Sequence, residues 1–362
     1  MDKGIKMEKI LFLAHTEEDG NLQKLAKETL TVAGEITKLL KGNLTVGLLG
    51  KDIEKAASEI GACQAVKYFG VSGEDFKASR YSSDGLALEA IIKKADPTIV
   101  IAPHTSRFNR VLPGVAFRVN GRIDTHVSSF EISDETLKIQ RWYYRQRILA
   151  TLSRKVRPWF LVFDSGISEV FNKTGSVPVV EKLKVVLTDD VKRTEVTGTE
   201  AATKGTTTIK PDAKVLFVAG AGWSKKQPDG KVHVKDAEET ILNFLDLAKA
   251  SLGSSKSLVD QCGEGQEVLA FLTHMNQVGQ TGSTPRHPKG LSTCCHGEEP
   301  HAVGWRFINE RRAINLDPNC GWAHGKADVL YVADAFEVMR KVNELLSDKE
   351  DGQKKETVAE LV

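Results

Sequence analysis

The hydrophobic pattern begins with Lys9-Ile10-Leu11-Phe12-Leu13-Ala14-His15, an apolar run of strand length closed by polar Thr16 to Gly20. Apolar residues then fall at helical spacing from Asn21 to Leu40 (Leu22, Leu25, Ala26, Leu30, Ala33, Ile36, Leu39), and Gly42 stops that helix. Leu44 to Gly50 reads as the next strand. The cycle repeats with helices near Asp52–Ile60 and Asp84–Lys94 and strands near Ala65–Tyr68 and Thr98–Pro103. Strands without polar alternation, separated by amphipathic helices, predict a parallel sheet covered on both faces. A helix opened near Pro113 is expected over Leu112–Val119. The extended segments Val127–Ile132, Leu137–Tyr144, Ala150–Val156 and Trp159–Phe163 then predict added antiparallel or mixed strands, with a further candidate over Pro178–Leu187.

From Thr194 to Lys210 the chain is rich in Thr, Glu, Gly and Ala and holds almost no large apolar residue, as expected of a linker. A second α/β pattern starts with Lys214–Ala219 and Gly220-Ala221-Gly222, continues in a helix over Ala237–Leu252, and ends with strands Ala313–Leu316 and Val329–Val332 and a helix Phe336–Leu346. The fold class expected is therefore α/β in two domains. The first is a Rossmann-like parallel sheet with added mixed strands over residues 1–190; residues 191–212 link it to a doubly wound domain over 213–346, and 347–362 form a charged tail.

The bulk numbers narrow the function. Fifty basic residues stand against 48 acidic ones, a net charge of +2, so no polyanion-binding surface is implied and nucleic acid is not an expected partner. No apolar run approaches the roughly 20 residues that span a bilayer, and the charged start lacks a signal-peptide core. A cytoplasmic setting is the simplest expectation. The cysteines are Cys63, Cys262, Cys294, Cys295 and Cys320, an odd number with no spacing typical of a secreted disulfide framework. No catalytic triad, paired carboxylates or phosphate-binding loop stands out. After the first strand, His15-Thr16-Glu17-Glu18-Asp19-Gly20 is acidic and would repel phosphate.

The segment richest in chemistry is Gln277-Val278-Gly279-Gln280-Thr281-Gly282. Glycines let a backbone approach a planar polar ligand, while Gln and Thr supply directed hydrogen bonds. Upstream, Leu252-Gly253-Ser254-Ser255-Lys256-Ser257-Leu258-Val259-Asp260 joins small hydroxyl residues to a cation; Gly253 reads there as a helix end. Downstream, Ile314-Asn315-Leu316-Asp317-Pro318 and Ala327-Asp328-Val329 set polar groups at the ends of two strands, where α/β sheets bind ligands.

In that order, these motifs resemble the FAD domain of electron transfer flavoprotein alpha subunits. There, Gly-Ala-Ser-Arg ending in Val-Asp leads to Gln-Val-Gly-Gln-Thr-Gly, to a Gly-Ile-Ser-Gly loop, and to Ile-Asn-Lys-Asp-Pro. The resemblance is complete at 277–282, holds as Ile-Asn-x-Asp-Pro at 314–318, and extends more weakly over most of the chain. It implies an electron carrier binding FAD through Ser255, Lys256, Gln277, Val278, Gly279, Gln280, Thr281, Gly282, Gly297, His301, Asn315 and Asp328. Gln280 and Thr281 would face the flavin ring, and Asn315 and Asp328 the adenosine end. It also implies a heterodimer with a beta subunit held by the first domain, a flavoprotein dehydrogenase as donor, and a quinone reductase or iron–sulfur protein as acceptor.

Three departures mark a divergent branch. The family's ring-facing Arg is Lys256, its Gly-Gly-Arg-Gly turn is Gly220-Ala221-Gly222-Trp223, and its Gly-Ile-Ser-Gly-Ala-Ile-Gln-His loop is Cys294-Cys295-His296-Gly297-Glu298-Glu299-Pro300-His301. A flavin-less binding or regulatory module that keeps the fold is the alternative. Cys294, Cys295, His296, His301, Cys320 and His324 are all metal-ligand types. Adjacent cysteines rarely chelate one ion well and Cys-x-x-Cys is absent, so buried thiols and flavin-contacting histidines are preferred and no metal is expected. His15, His104 and Arg107 read as packing or surface residues, and Trp142-Tyr143-Tyr144-Arg145 as core with an interface second.

Overall fold

Strand β1 (Lys9–His15) lies at the centre of a nine-stranded sheet, between β2 (Asn43–Gly50) and β4 (Ile99–Pro103). The other strands are β3 (Lys67–Ser72), β5 (Arg122–Ser133), β6 (Thr136–Tyr143), β7 (Ile148–Leu152), β8 (Trp159–Phe163) and β9 (Val180–Lys182), in the order β7-β6-β5-β8-β4-β1-β2-β3-β9. Pairing is parallel from β9 through β5 and antiparallel from β5 to β7. This computed structural model describes residues 7–133, 135–144, 146–173, 175, 177–197, 209–261, 269–279, 284–293, 307–319 and 327–350. The chain divides into a first unit, Met1–Tyr144 with Ile148–Glu200, and a second, Arg145–Arg147 with Ala201–Val362.

The unbroken apolar strands of the first unit are explained by cover on both sides. Phe12, Val46, Ile101 and Leu161 face α1 (Lys24–Leu39) and α2 (Glu54–Glu59), whereas Leu11, Leu13, Val100 and Phe160 face α3 (Tyr81–Ala95) and α4 (Ser106–Arg118). Each fully buried side chain of this size contributes roughly 1.5–3 kcal/mol. Helix α4 starts seven residues earlier than a Pro113 opening implies. The Thr105 hydroxyl caps it by accepting from Phe108 N–H, and Pro113 sits inside, unable to donate to the carbonyl of Asn109. Capping and the buried face of α4 outweigh one missing bond. A short helix, α5 (Asp189–Lys192), ends the unit's regular structure.

The second unit carries five parallel strands: β10 (Val215–Ala219), β11 (Ser251–Ser254), β12 (His287–Thr293), β13 (Ile308–Asn315) and β14 (Val329–Val332), in the order β11-β10-β12-β13-β14. Helices α6 (Val234–Leu247) and α8 (Ala335–Glu350) pack on one face through Ile241, Phe244, Phe336 and Met339, and the short α7 (Lys256–Asp260) adds Leu258 and Val259. On the other face Leu216 and Val218 are met by Ile209, Val278 and Ile308. Two of these strands escape the hydrophobic pattern. Helix α6 ends at Leu247 where Lys249 turns left-handed (φ 50°), and Ser251-Leu252-Gly253-Ser254 is a strand rather than the tail of the helix. Strand β12 buries His287, Ser292 and Thr293 completely, so its polar letters disguise a core position.

At the carboxyl edge of the first sheet, buried His15 is hydrogen-bonded through Nε2 to Thr105 Oγ1 (3.0 Å) and stands edge-on to Phe108. With Nδ1 facing the Thr16 carbonyl (3.5 Å), which can only accept, a neutral imidazole leaves Nε2 to accept from the Thr105 hydroxyl. Arg107, beside it, is buried and bonded to both oxygens of Asp84 (2.6 and 2.8 Å) and to the Phe76 carbonyl (2.9 Å). Burial, then the Arg107 charge, lower the His15 pKa from 6.5 to about 4. A pKa below the unfolded value means that stability is full above pH 6.5 and declines as pH falls toward 4, where only the unfolded chain gains the proton. The loss across this window is up to about 3 kcal/mol. Urea unfolding of His15→Gln at a series of pH values should therefore show a shallower decline between pH 6.5 and 4 than the unsubstituted chain; parallel curves would contradict this assignment.

Candidate functional site

In the second sheet the strand order reverses between β10 and β12, so the connections leave in opposite directions, the kind of point at whose carboxyl ends α/β sheets bind ligands. Of the residues singled out in the sequence, Ser255, Lys256, Gln277, Val278, Gly279 and Asn315 stand along this edge. Ser255 follows β11, donates its N–H to the Ala219 carbonyl (2.9 Å), and caps α7 by accepting from Leu258 N–H (3.3 Å). That bond uses a lone pair of the hydroxyl and leaves its proton uncommitted. Lys256 begins α7 and pairs with Asp260 one turn on (2.7 Å), with its side chain half exposed. An exposed pair of this kind is worth about 0.3–0.5 kcal/mol, weak enough for the ammonium to take another partner.

The glycine-rich segment is brought to this edge by backbone pairing. Gln277 forms a parallel bridge with Ser254, and Val278 N–H donates to the Ser254 carbonyl (3.1 Å). The turn Thr273–Asn276 prepares the approach: Thr273 and Asn276 cap each other's backbone, and buried Asn276 reaches the Leu252 carbonyl. Val278 is then buried on the sheet, and Gly279 takes φ 83°, a conformation that favours glycine. Its N–H donates to Thr284 Oγ1 (2.8 Å). The Ser254 hydroxyl, wholly buried, has no hydrogen-bond partner among the described residues. A buried polar atom left in this way is costly unless something satisfies it.

Asn315 closes the row at the end of β13, buried, with its side-chain oxygen accepting from Asp317 N–H (3.1 Å). It lines a small cleft with Gln227, Leu316, Ala333 and Asp334. Asp328 is not part of this group. It precedes β14, at the opposite end of the sheet, where its carboxylate accepts from the Arg311 backbone and guanidinium (2.7 and 2.8 Å). Arg311 holds its pKa below the ordinary carboxylate value. Gln280, Thr281, Gly282, Gly297 and His301 lie outside the described residues, as do Cys262, Cys294, Cys295, Cys320, His296 and His324.

One side chain at the reversal point has a role that the pattern of the sequence did not single out. Trp223, completely buried in the turn after β10, donates from Nε1 to Thr293 Oγ1 at the end of β12 (2.7 Å) and packs on Phe336. Gly220 N–H donates to the Thr293 carbonyl (2.9 Å). The indole thus ties together the two strands at the reversal point. A large aromatic at the point where the resemblance has a Gly-Gly-Arg-Gly turn was the available signal.

Comparison with known proteins places the chain among relatives of one kind. Residues 10–188 match the electron transfer flavoprotein domain. The chain is 24% identical over 340 residues to the electron transfer flavoprotein subunit alpha of Clostridium acetobutylicum, covering 92% of this chain and 93% of that one. It is 24% identical over 323 residues to the protein FixB of Clostridium saccharobutylicum, covering 88% of each. A third relative, the electron transfer flavoprotein subunit alpha of Thermoanaerobacterium thermosaccharolyticum, is 21% identical over 337 residues, 91% of this chain and 96% of that one.

The join between β11 and the glycine-rich segment depends on Gly253. A Cβ there would stand 2.6 Å from Val278 Cγ2 and 3.2 Å from Leu216 Cδ1. Gly253→Ala should force Val278 off the sheet and cost about 1–3 kcal/mol. Amide hydrogen exchange should then show lost protection at Val278 while the first unit is unchanged; retained protection would mean that the join does not need the glycine.

Proposed function

This chain is a divergent member of the electron transfer flavoprotein family, and from that premise we propose that it is the alpha-type subunit, holding FAD in its second unit and relaying electrons between proteins. The observation that carries the reading is the pairing of Gln277 and Val278 with Ser254, which sets the glycine-rich segment beside Ser255 and Lys256 at the carboxyl edge of a parallel sheet. The chemistry of the site fits a polar planar ligand. Ser254 offers an unpartnered buried hydroxyl, Ser255 a proton its cap does not use, Gly279 a close backbone approach, and Lys256 a cation held only by an exposed ion pair.

In this reading Ser255, Lys256 and Gln277–Gly279 hold the ligand, joined by Gln280, Thr281, Gly282, Gly297 and His301, with Asn315 toward the adenosine end. Asp328, locked to Arg311 at the far end of the sheet, serves the fold. When bound, FAD supplies the capacity to accept an electron pair and to release electrons singly; the chain orients and tunes it. Lys256 would favour negative charge on the reduced ring, although as a compact ammonium it lacks the planar fork of an arginine. The first unit would contact a beta subunit in a heterodimer. A flavoprotein dehydrogenase would be the donor and a quinone reductase or iron–sulfur protein the acceptor, in the cytoplasm. Among the described residues no helix is long and apolar enough to cross a membrane.

A second reading is favoured by Trp223. An indole bonded across the ends of β10 and β12 occupies the reversal point that α/β sheets use for ligands, which suits a binding module that has dispensed with flavin. Absorption spectroscopy of the chain copurified with its partner subunit separates the two. Flavin bands, with FAD released on denaturation, are expected; a colourless complex that refuses added FAD would leave the binding module. In the flavin-loaded complex, Lys256→Gln should lower the reduction potential by on the order of tens of millivolts, while Lys256→Arg should hold or raise it. An unchanged potential in Lys256→Gln would remove the lysine from the ring's surroundings.

A further inference from the structure

At the carboxyl edge of the first sheet three neighbouring strands deliver three ligand-type side chains to one point. His104 follows β4 and Asp164 follows β8; their backbones are pinned by His104 N–H to the Phe163 carbonyl (2.9 Å) and Asp164 N–H to the Val127 carbonyl (3.0 Å). His126 comes from β5, at a bulge where the register with β8 shifts between Asp124 and Val127. It holds φ 55°, a left-handed conformation uncommon for residues other than glycine, in which asparagine, aspartate and histidine are the most frequent. The bulge re-aims the imidazole toward its neighbours. The Nδ1 atoms of His104 and His126 stand 3.2 and 3.3 Å from the same oxygen, Asp164 Oδ1, and the two rings are 4.0 Å apart. That oxygen is nevertheless buried without a hydrogen-bond partner among the described residues. Two imidazole nitrogens and a carboxylate oxygen, all within 4.8 Å of one another, therefore converge with no hydrogen bond among them.

We propose that His104, His126 and Asp164 form a divalent transition-metal site, of the type that takes Zn2+. Donor atoms bound to one ion at about 2.0–2.1 Å in tetrahedral arrangement lie roughly 3.3–3.4 Å apart. The two measured separations, 3.2 and 3.3 Å, match that spacing. Two imidazoles and one carboxylate are a borderline donor set suited to zinc and its first-row neighbours, and unsuited to magnesium or calcium. A cation between them satisfies the unpartnered oxygen and gives the left-handed backbone of His126 a purpose. Three protein ligands leave a fourth position open, and His126, with about half its side chain exposed, faces it toward solvent. The site is separate from the flavin reading, which concerns the second unit.

Chelator-stripped full-length chain titrated with Zn2+ by calorimetry should take up one equivalent that is absent in His126→Asn and in Asp164→Asn. Asparagine tolerates the left-handed backbone at 126, so loss of zinc there reports ligation rather than misfolding; thermal unfolding without metal should match the unsubstituted chain. Cys294→Ser with Cys295→Ser should leave this equivalent in place. With Co2+ as the probe, the bound ion should show ligand-field bands of a nitrogen and oxygen set without a thiolate charge-transfer band. The proposal is overturned if no equivalent binds, if both single variants retain it, or if the bound cobalt carries the thiolate band and is lost in the double cysteine variant.

Discussion

A sheet buried on both faces has no place for an unpaired polar group except at its edges and strand ends, and this constraint governs both units. Within the central strands backbone donors and acceptors pair with their neighbours, and the side chains are committed to the layers above and below. Polar chemistry is displaced to the carboxyl ends, where the chain turns and backbone groups fall free. The first unit gathers His15, Thr105, His104, His126 and Asp164 there, and the second Ser255, Gln277, Thr293 and Asn315. Neither group is local in the sequence. Each is assembled because parallel strands align the ends that carry it.

The second unit adds a device of its own. Its edge strand β11 is short and poor in apolar residues, yet the strand is held by β10 on one side and by Gln277 and Val278 on the other. A polar strand of four residues is stable when both edges are paired and one neighbour, Val278, also enters the apolar face. The same contact fixes the start of the glycine-rich segment. Support of the edge strand and placement of that segment thus rest on one backbone bridge. The Trp223–Thr293 bond does the corresponding work between β10 and β12, at the point where relatives of the family type would carry an arginine turn.

Charge is handled by pairing rather than exclusion. Arg107 with Asp84, and Asp124 with Arg154 and the Trp159 indole, are buried in mutually satisfied groups. Breaking one partner of such a pair would strand a charge in a medium that solvates it poorly. Asp328 is paired near the surface instead, and its hold on the Arg311 backbone and guanidinium fastens the start of the last strand. Its position in an Ala-Asp-Val sequence suggested a ligand contact; only the direction of β14 reveals that it opens the strand, whereas Asn315 ends one.

The amino-acid sequence by itself determined the α/β class, most of the first unit's apolar strands and helices, the presence of added strands after α4, and the family, because continuous apolar runs and a six-residue glycine-rich motif survive as local signals. The pattern leaves open which of the added strands run antiparallel, and β8, grouped with them, pairs parallel between β4 and β5. Strands β11 and β12 were illegible: Ser-Leu-Gly-Ser and His-Pro-Lys-Gly-Leu-Ser-Thr bury hydroxyls and an imidazole that only nonlocal partners make tolerable. The structure alone decided that Ser254 meets Gln277, that Trp223 bridges to Thr293, and that His104, His126 and Asp164 share a point. These pairs are separated by long stretches of chain, and what joins them is strand order and register. Those are set by the burial of whole faces, which no short window of sequence contains.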